Sequence, residues 1–158
     1  MATSPGEGIA QLWARLSPLP GGTWAFSRAL SWMVPYSGTI HPHVRELKPG
    51  YARVTMADTR SVRNHLDSVH AIALVNLGEV TSGLAMIVGL PPGTRSIVTA
   101  LSMEFLKKAR GPLQAECHCT IPDNITETVE QIVEAGISDE LGEIVARARV
   151  TWRLSPPS

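Results

Sequence analysis

Residues 69–90 read VHAIALVNLGEVTSGLAMIVGL. The run is about as long as a membrane span, but Asn76, Glu79, Thr81 and Ser82 interrupt it, so it reads as a helix buried nearly all round. Counted from Ile72, Asn76, Glu79 and Gly83 lie four, seven and eleven residues on and share one stripe. An ionised carboxylate in a core is costly unless it is hydrogen-bonded or reaches water, so the Glu79 stripe is expected to face a cleft or a subunit boundary. Burial raises a carboxyl pKa, which suits a general base.

Period-two patterns surround this helix. Residues 39–58 hold two extended segments joined at Lys48-Pro49-Gly50, a tight-turn signal that predicts a hairpin. From Arg95, residues Ile97, Thr99, Leu101, Met103 and Phe105 alternate with Val98, Ala100, Ser102, Glu104 and Leu106, apolar on both faces, which predicts a central strand. Leu113, Ala115, Cys117, Cys119 and Ile121 form one face of a further strand, and Ile144 to Leu154 form the clearest alternation. Residues 126–135 fit a helix or a strand. The turn Asp139-Glu140-Leu141-Gly142 favours a hairpin with the last strand and a bulge at Gly136. One helix apolar nearly all round must be wrapped by the only large apolar surface present, a curved antiparallel sheet, which is the α+β hot-dog arrangement.

Before it, residues 8–16 and 23–33 form two short helical patterns whose apolar faces carry Trp13, Leu16, Trp24, Leu30 and Trp32, read as a lid or brace. The chain therefore divides into a helical extension (1–37), a hot-dog domain (38–155) and an unstructured tail (156–158). Fourteen basic and fourteen acidic residues cancel, so no global field attracts nucleic acid or an anionic membrane. The N-terminal segment lacks the features of a secretion signal, which places the protein in the cytoplasm. Cys117 and Cys119 point the same way along a strand and His118 the other way, so "CHC" reads as reduced core thiols beside a solvated histidine. His41 and His43 share one side of a strand without a third ligand, so no metal site is expected.

At the start of the buried helix, Asp67 or Ser68 supplies an N-cap, His70 follows, and the free N–H groups of Ala71 and Ile72 point at whatever occupies the helix N-terminus. Such donors favour developing negative charge, as on a thioester carbonyl oxygen under attack. Asn64 is placed to orient a water opposite Glu79. Each has a structural alternative: Glu79 pairing with an arginine across a dimer, Asn64 holding a turn, and His70 bonding to backbone. Thr99, Leu101 and Met103 are candidates to line an acyl pocket. An open sheet edge and an incompletely covered helix predict self-association.

The stretch RNHLDSVHAIALVNLGE, residues 63–79, resembles the "N, G, V-H-G-G, nine residues, Asp or Glu" signature of hot-dog acyl-CoA thioesterases of the phenylacetate-degradation type. MEFLKKARG, residues 103–111, resembles their NFLRPARPG strand end, and the leading helices and closing VTWRL are similar to the branch grouped as domain of unknown function 4442. The resemblance spans residues 40–154. It implies catalytic roles for Asn64, His70 and Glu79, a carbonyl-polarising N–H at Ile72 with that of Ala71 beside it, and a site formed between subunits of a dimer or tetramer. It also implies coenzyme A as part of the substrate, its phosphates meeting Lys107, Lys108, Arg110, Arg60 and Arg63, with no further cofactor. The family's Gly-Gly pair stands here as Ala71-Ile72, and the β-branched isoleucine leaves a non-catalytic acyl-CoA or fatty-acyl binder as the alternative. His65 and Glu79, fourteen residues apart, resemble the pair of hot-dog hydroxyacyl thioester dehydratases, a third reading.

Overall fold

The structure, a computed structural model, describes residues 5–157. The first four residues of the expected extension and Ser158 of the expected tail lie outside it. Three helices come first, α1 (Pro5–Leu16), α2 (Gly22–Met33) and the single turn α3 (Pro35–Gly38). Strands β1 (His43–Lys48) and β2 (Tyr51–Met56) follow, then α4 (Ala71–Ile87), and then β3 (Arg95–Phe105), β4 (Leu113–His118), β5 (Val129–Ser138) and β6 (Ile144–Ser155). The strands form one antiparallel sheet in the order β1-β2-β4-β5-β6-β3. With α4 lying across its inner face, this is the hot-dog fold. Among the described residues no helix is long and apolar enough to cross a membrane.

The inner face of the sheet is small where α4 comes closest. Ala115, Ala135, Ala146 and Ala148 are all buried there, with Val133, Ile137 and Val150 around them. At Gly78 the approach is tightest: a Cβ on that residue would sit 2.5 Å from the Cβ of Ala148. Leu74, Leu77, Leu84 and Met86 fill the space beside this contact. The hydroxyls of Thr81 and Ser82 are buried without penalty, because they donate to Leu77 O at 2.7 Å and Glu79 O at 2.9 Å. The β1–β2 turn clamps the far end of the helix: Gly50, at φ +77°, donates to Ala85 O, and Cys119 N–H donates to Gly50 O.

The N-terminal helices brace one side. Trp13 meets Phe26 edge to face, with ring centroids 4.9 Å apart. The buried Ser27 hydroxyl accepts the Val44 N–H at 2.9 Å, tying α2 to β1. Trp24 and Trp32, expected on the apolar faces of these helices, instead point to solvent.

Three further expectations are corrected. β3 is an edge strand paired with β6 alone, not a central one; apolar residues on both faces do not report whether both backbone edges are bonded. A bulge at Thr99 also resets its alternation, so Val98 joins Leu101 and Met103 against the core while Ile97 and Phe105 are exposed. The bulge of the β5–β6 hairpin falls on Val145 rather than Gly136, because Gly136 pairs regularly with Arg147 and Glu116. Residues 129–138 do form the expected strand.

Gly78→Ala is expected to lower the melting temperature despite alanine's better helix propensity of about 1 kcal/mol. The clash with Ala148 is an overpacking defect of about 1–3 kcal/mol. Melting curves of Gly78→Ala and of Gly78→Ala with Ala148→Gly check it, the second change restoring part of the loss.

Candidate active site

Helix α4 begins beneath a loop that is hydrogen-bonded at almost every residue. His70 itself is the N-cap: its backbone is extended, its Nδ1 accepts the Ile72 N–H at 3.1 Å, and its own N–H donates to Val62 O. The ring proton is thereby assigned to Nε2. The expected caps Asp67 and Ser68 lie too early in the chain, since residues 63–69 form a closed loop with Arg63 bridged to Val69. The Asn64 carboxamide oxygen holds that loop, accepting from Leu66 N at 2.9 Å, Ser68 N at 3.3 Å and Ser68 Oγ at 3.2 Å. Its amide nitrogen takes no part in these bonds.

Beneath the loop sits an ionic anchor with no sequence signature. Asp58, two residues past β2, accepts from Arg63 Nε at 2.7 Å and from the Gly111 N–H at 2.8 Å. The Arg63 hydrogen bond is the main cause of an Asp58 pKa below the ordinary carboxylate value. Arg63 also meets Asp67, and Arg110 donates to Asp67 O and Leu66 O. Lys107 pairs with Asp139 at 2.7 Å and with Glu143. Three of the five cations expected to meet coenzyme A phosphates thus hold the fold's own loops, whereas Arg60 and Lys108 are exposed and unpaired among the described residues.

A cleft of about 200 Å³ opens beside the helix start, between α3 and the loop, lined by Tyr36, Thr39, Ile40, Ser61, Val62, Arg63, His70, Ile72, Ala73 and Asn76. Asn76 is buried and donates from Nδ2 to Tyr36 O at 3.2 Å, joining α4 to the N-terminal helices. The structure thus brings together Arg63, His70 and Ile72, while Asn64 and Glu79 do not line this cleft. Tyr36, which sequence reasoning missed, forms its outer wall.

Glu79 lies two turns beyond Ile72, on the same face as Ile72 and Val75, the least buried side of α4. Gly83, one turn further along the same stripe, is buried against the Trp152 ring. Of the four polar interruptions in the helix, Asn76, Thr81 and Ser82 all have hydrogen-bond partners. Among the described residues none bonds to the Glu79 carboxylate. It is half-buried, and desolvation raises its pKa. Among the described residues none pairs with it across the helix surface, and His65 is exposed in the loop. Elsewhere, His43 Nε2 lies 3.1 Å from Thr23 Oγ1, and Cys117 and Cys119 are free thiols, the neighbouring thiol and burial together pushing the Cys117 thiol up. Among the described residues no group of three potential ligands could hold a metal.

The sequence pattern of the family described as a domain of unknown function (DUF4442) matches residues 22–154. The chain belongs to that family. The match takes in α2, α3, α4 and the sheet, so α2 and α3 of the helical brace, but not α1, fall within the DUF4442 unit. A structural-genomics crystal structure is 31% identical, covering 96% of this chain and 99% of its own, with a TM-score of 0.80. A protein of unknown function from Pseudomonas aeruginosa, called a probable thioesterase, is 23% identical over 87% of this chain and 96% of its own, with a TM-score of 0.73. A thioesterase from Haemophilus influenzae is 17% identical over 75% of this chain and 81% of its own, with a TM-score of 0.65. The last two establish the shared fold. No curated protein matches the sequence.

Asp58→Asn is expected to destabilise the protein at neutral pH by about 1–3 kcal/mol, the scale of a hydrogen bond to a buried charge. Because the folded pKa of Asp58 is depressed, its contribution is present above the unfolded carboxylate range and fades as pH falls through the folded value. The melting-temperature gap between wild type and variant should therefore narrow below about pH 4.

Proposed function

We propose that this protein hydrolyses acyl thioesters, with the Glu79 carboxylate activating the attacking water. The observation that carries the reading is that Glu79 alone, among the polar groups of α4, is desolvated without a partner. A fold gains no stability from such a group, which argues for a role that needs a basic, uncommitted carboxylate. The hot-dog neighbours called thioesterases support the same chemistry.

In this reading Glu79 takes a proton from water as the oxygen attacks the thioester carbonyl carbon. The oxyanion forms near the N-terminus of α4, where the dipole and the Ala71 N–H favour it. The C–S bond then breaks, the thiolate leaves and takes up a proton, and the products are a carboxylic acid and a thiol. Asn64 orients the water through its uncommitted amide nitrogen. Water is the only co-reactant. Glu79 and the His70 cleft do not meet within one chain, so the site is completed by a second copy. The exposed edge of β3, with Ile97 and Phe105 uncovered, and the open Ile72-Val75-Glu79 face are the surfaces for it. Lys108 and Arg60, the cations the fold leaves unpaired, are the members of the expected set suited to phosphate.

A second reading, acyl-thioester binding without hydrolysis, is favoured by one feature. Ile72 is 53% exposed at the helix start, and its N–H is already bonded to His70.

Purified protein should release free thiol from a panel of acyl-CoA substrates, and Glu79→Gln should reduce kcat by at least about a hundredfold, the usual scale of general-base loss. Binding without turnover would select the second reading. Glu79→Gln should at the same time melt higher than wild type at neutral pH. A raised folded pKa makes deprotonation costly, so wild-type stability is lost as pH rises through that value and the glutamine variant escapes the loss. Light scattering should give a dimer or tetramer, and a strict monomer would exclude the two-copy site.

A further inference from the structure

Next to the His70 cleft, and sharing Thr39 with it, lies a second concavity of about 410 Å³, within the size range of small-ligand pockets. It is formed by the end of α2, by α3 and by the chain leading to β1. Its walls carry Arg28, Trp32, Pro35 and His41, and no acidic side chain lines it. Trp32 is 83% exposed, an unusual state for an indole on a helix whose other face is packed. Among the described residues no side chain pairs with Arg28 or bonds to the His41 ring. His41 is held at φ +49°, outside the ordinary range for a residue with a side chain, with its N–H bonded to Gly38 O.

We propose that this concavity binds the adenine nucleotide of a coenzyme A thioester, whose acyl end enters the neighbouring His70 cleft. The proposal rests on the thioester reading above and names the carrier. A flat, exposed indole is a stacking surface for a purine. An unpaired arginine beside it supplies the fork that phosphate oxygens take, and His41 offers a second donor. The cations nearer the β5–β6 turn and the loop are already engaged: Lys107 with Asp139, Arg63 with Asp58, and Arg110 with carbonyl groups. Arg60 and Lys108 are unpaired too but line neither concavity, so the unpaired arginine on the wall that adjoins the acyl cleft is Arg28. A thioester on a carrier protein has the pantetheine arm but no nucleotide, so the two carriers are distinguishable here.

The test uses the full chain, with adenosine 3′,5′-bisphosphate as the binding probe, and acyl-CoA and acyl-pantetheine as substrates. Wild type should bind the bisphosphate by calorimetry, and Arg28→Ala and Trp32→Ala should each weaken it roughly tenfold, with Trp32→Phe restoring part of the loss. Wild type should show a lower KM for acyl-CoA than for acyl-pantetheine, and either alanine variant should collapse that ratio toward one. The proposal is overturned if wild type ignores the bisphosphate, if the KM ratio survives both substitutions, or if Trp32→Ala changes the oligomeric state, which would make the patch a subunit contact. If no thioester is cleaved by wild type, the hydrolytic reading fails, while bisphosphate binding lost in Arg28→Ala still supports the nucleotide site.

Discussion

The approach of α4 to β6 at Gly78 and Ala148 governs where everything else in this molecule lies. A helix can be enclosed by a sheet only if the side chains between them are small, and here the helix contributes none and the sheet contributes a methyl group. Successive helical residues turn by about 100°, so fixing Gly78 against the sheet swings Glu79 to the flank. There it is too deep for full hydration and too far round to meet the strands. Its chemistry thus follows from its neighbour's packing. The same approach leaves the Ile72-Val75-Glu79 face uncovered, since a single sheet of this size wraps the helix incompletely.

Much of this was legible in the chain. The apolar run with few polar breaks, against strands of strict period two, leaves one helix and one sheet as the economical arrangement, and residues 113–118 and 144–155 are strands in the places their alternation predicts. β3 was misplaced for a definite reason. Alternation records which faces are apolar, and an exposed apolar edge looks the same in sequence as a covered one. Trp24 and Trp32 were misread on the same principle, because large apolar residues were assumed to face inward.

The candidate site was legible in its residues but not in their bonds. That His70 and Glu79 stand out by type and position needs only the spacing. That Asn64 spends its carboxamide oxygen on three loop donors, or that Arg63 is held by Asp58, depends on distances across a loop whose path no periodicity describes. Counting cations near a motif therefore overstated the number available to a ligand. Tyr36 escaped notice because its wall is made by a single turn of helix that local pattern cannot orient.

The imidazole cap on Ile72 has a consequence of its own. A helix start usually either waits for an anion with its donors hydrated or is closed by a hydroxyl or carboxylate that stays put. Here the occupant is a ring nitrogen on an exposed side chain, so the N–H is reserved rather than consumed. An incoming oxygen would replace the nitrogen one for one, and the exchange would leave the count of hydrogen bonds on the helix unchanged. The helix end is therefore an exchangeable seat, held at rest by the residue that precedes it.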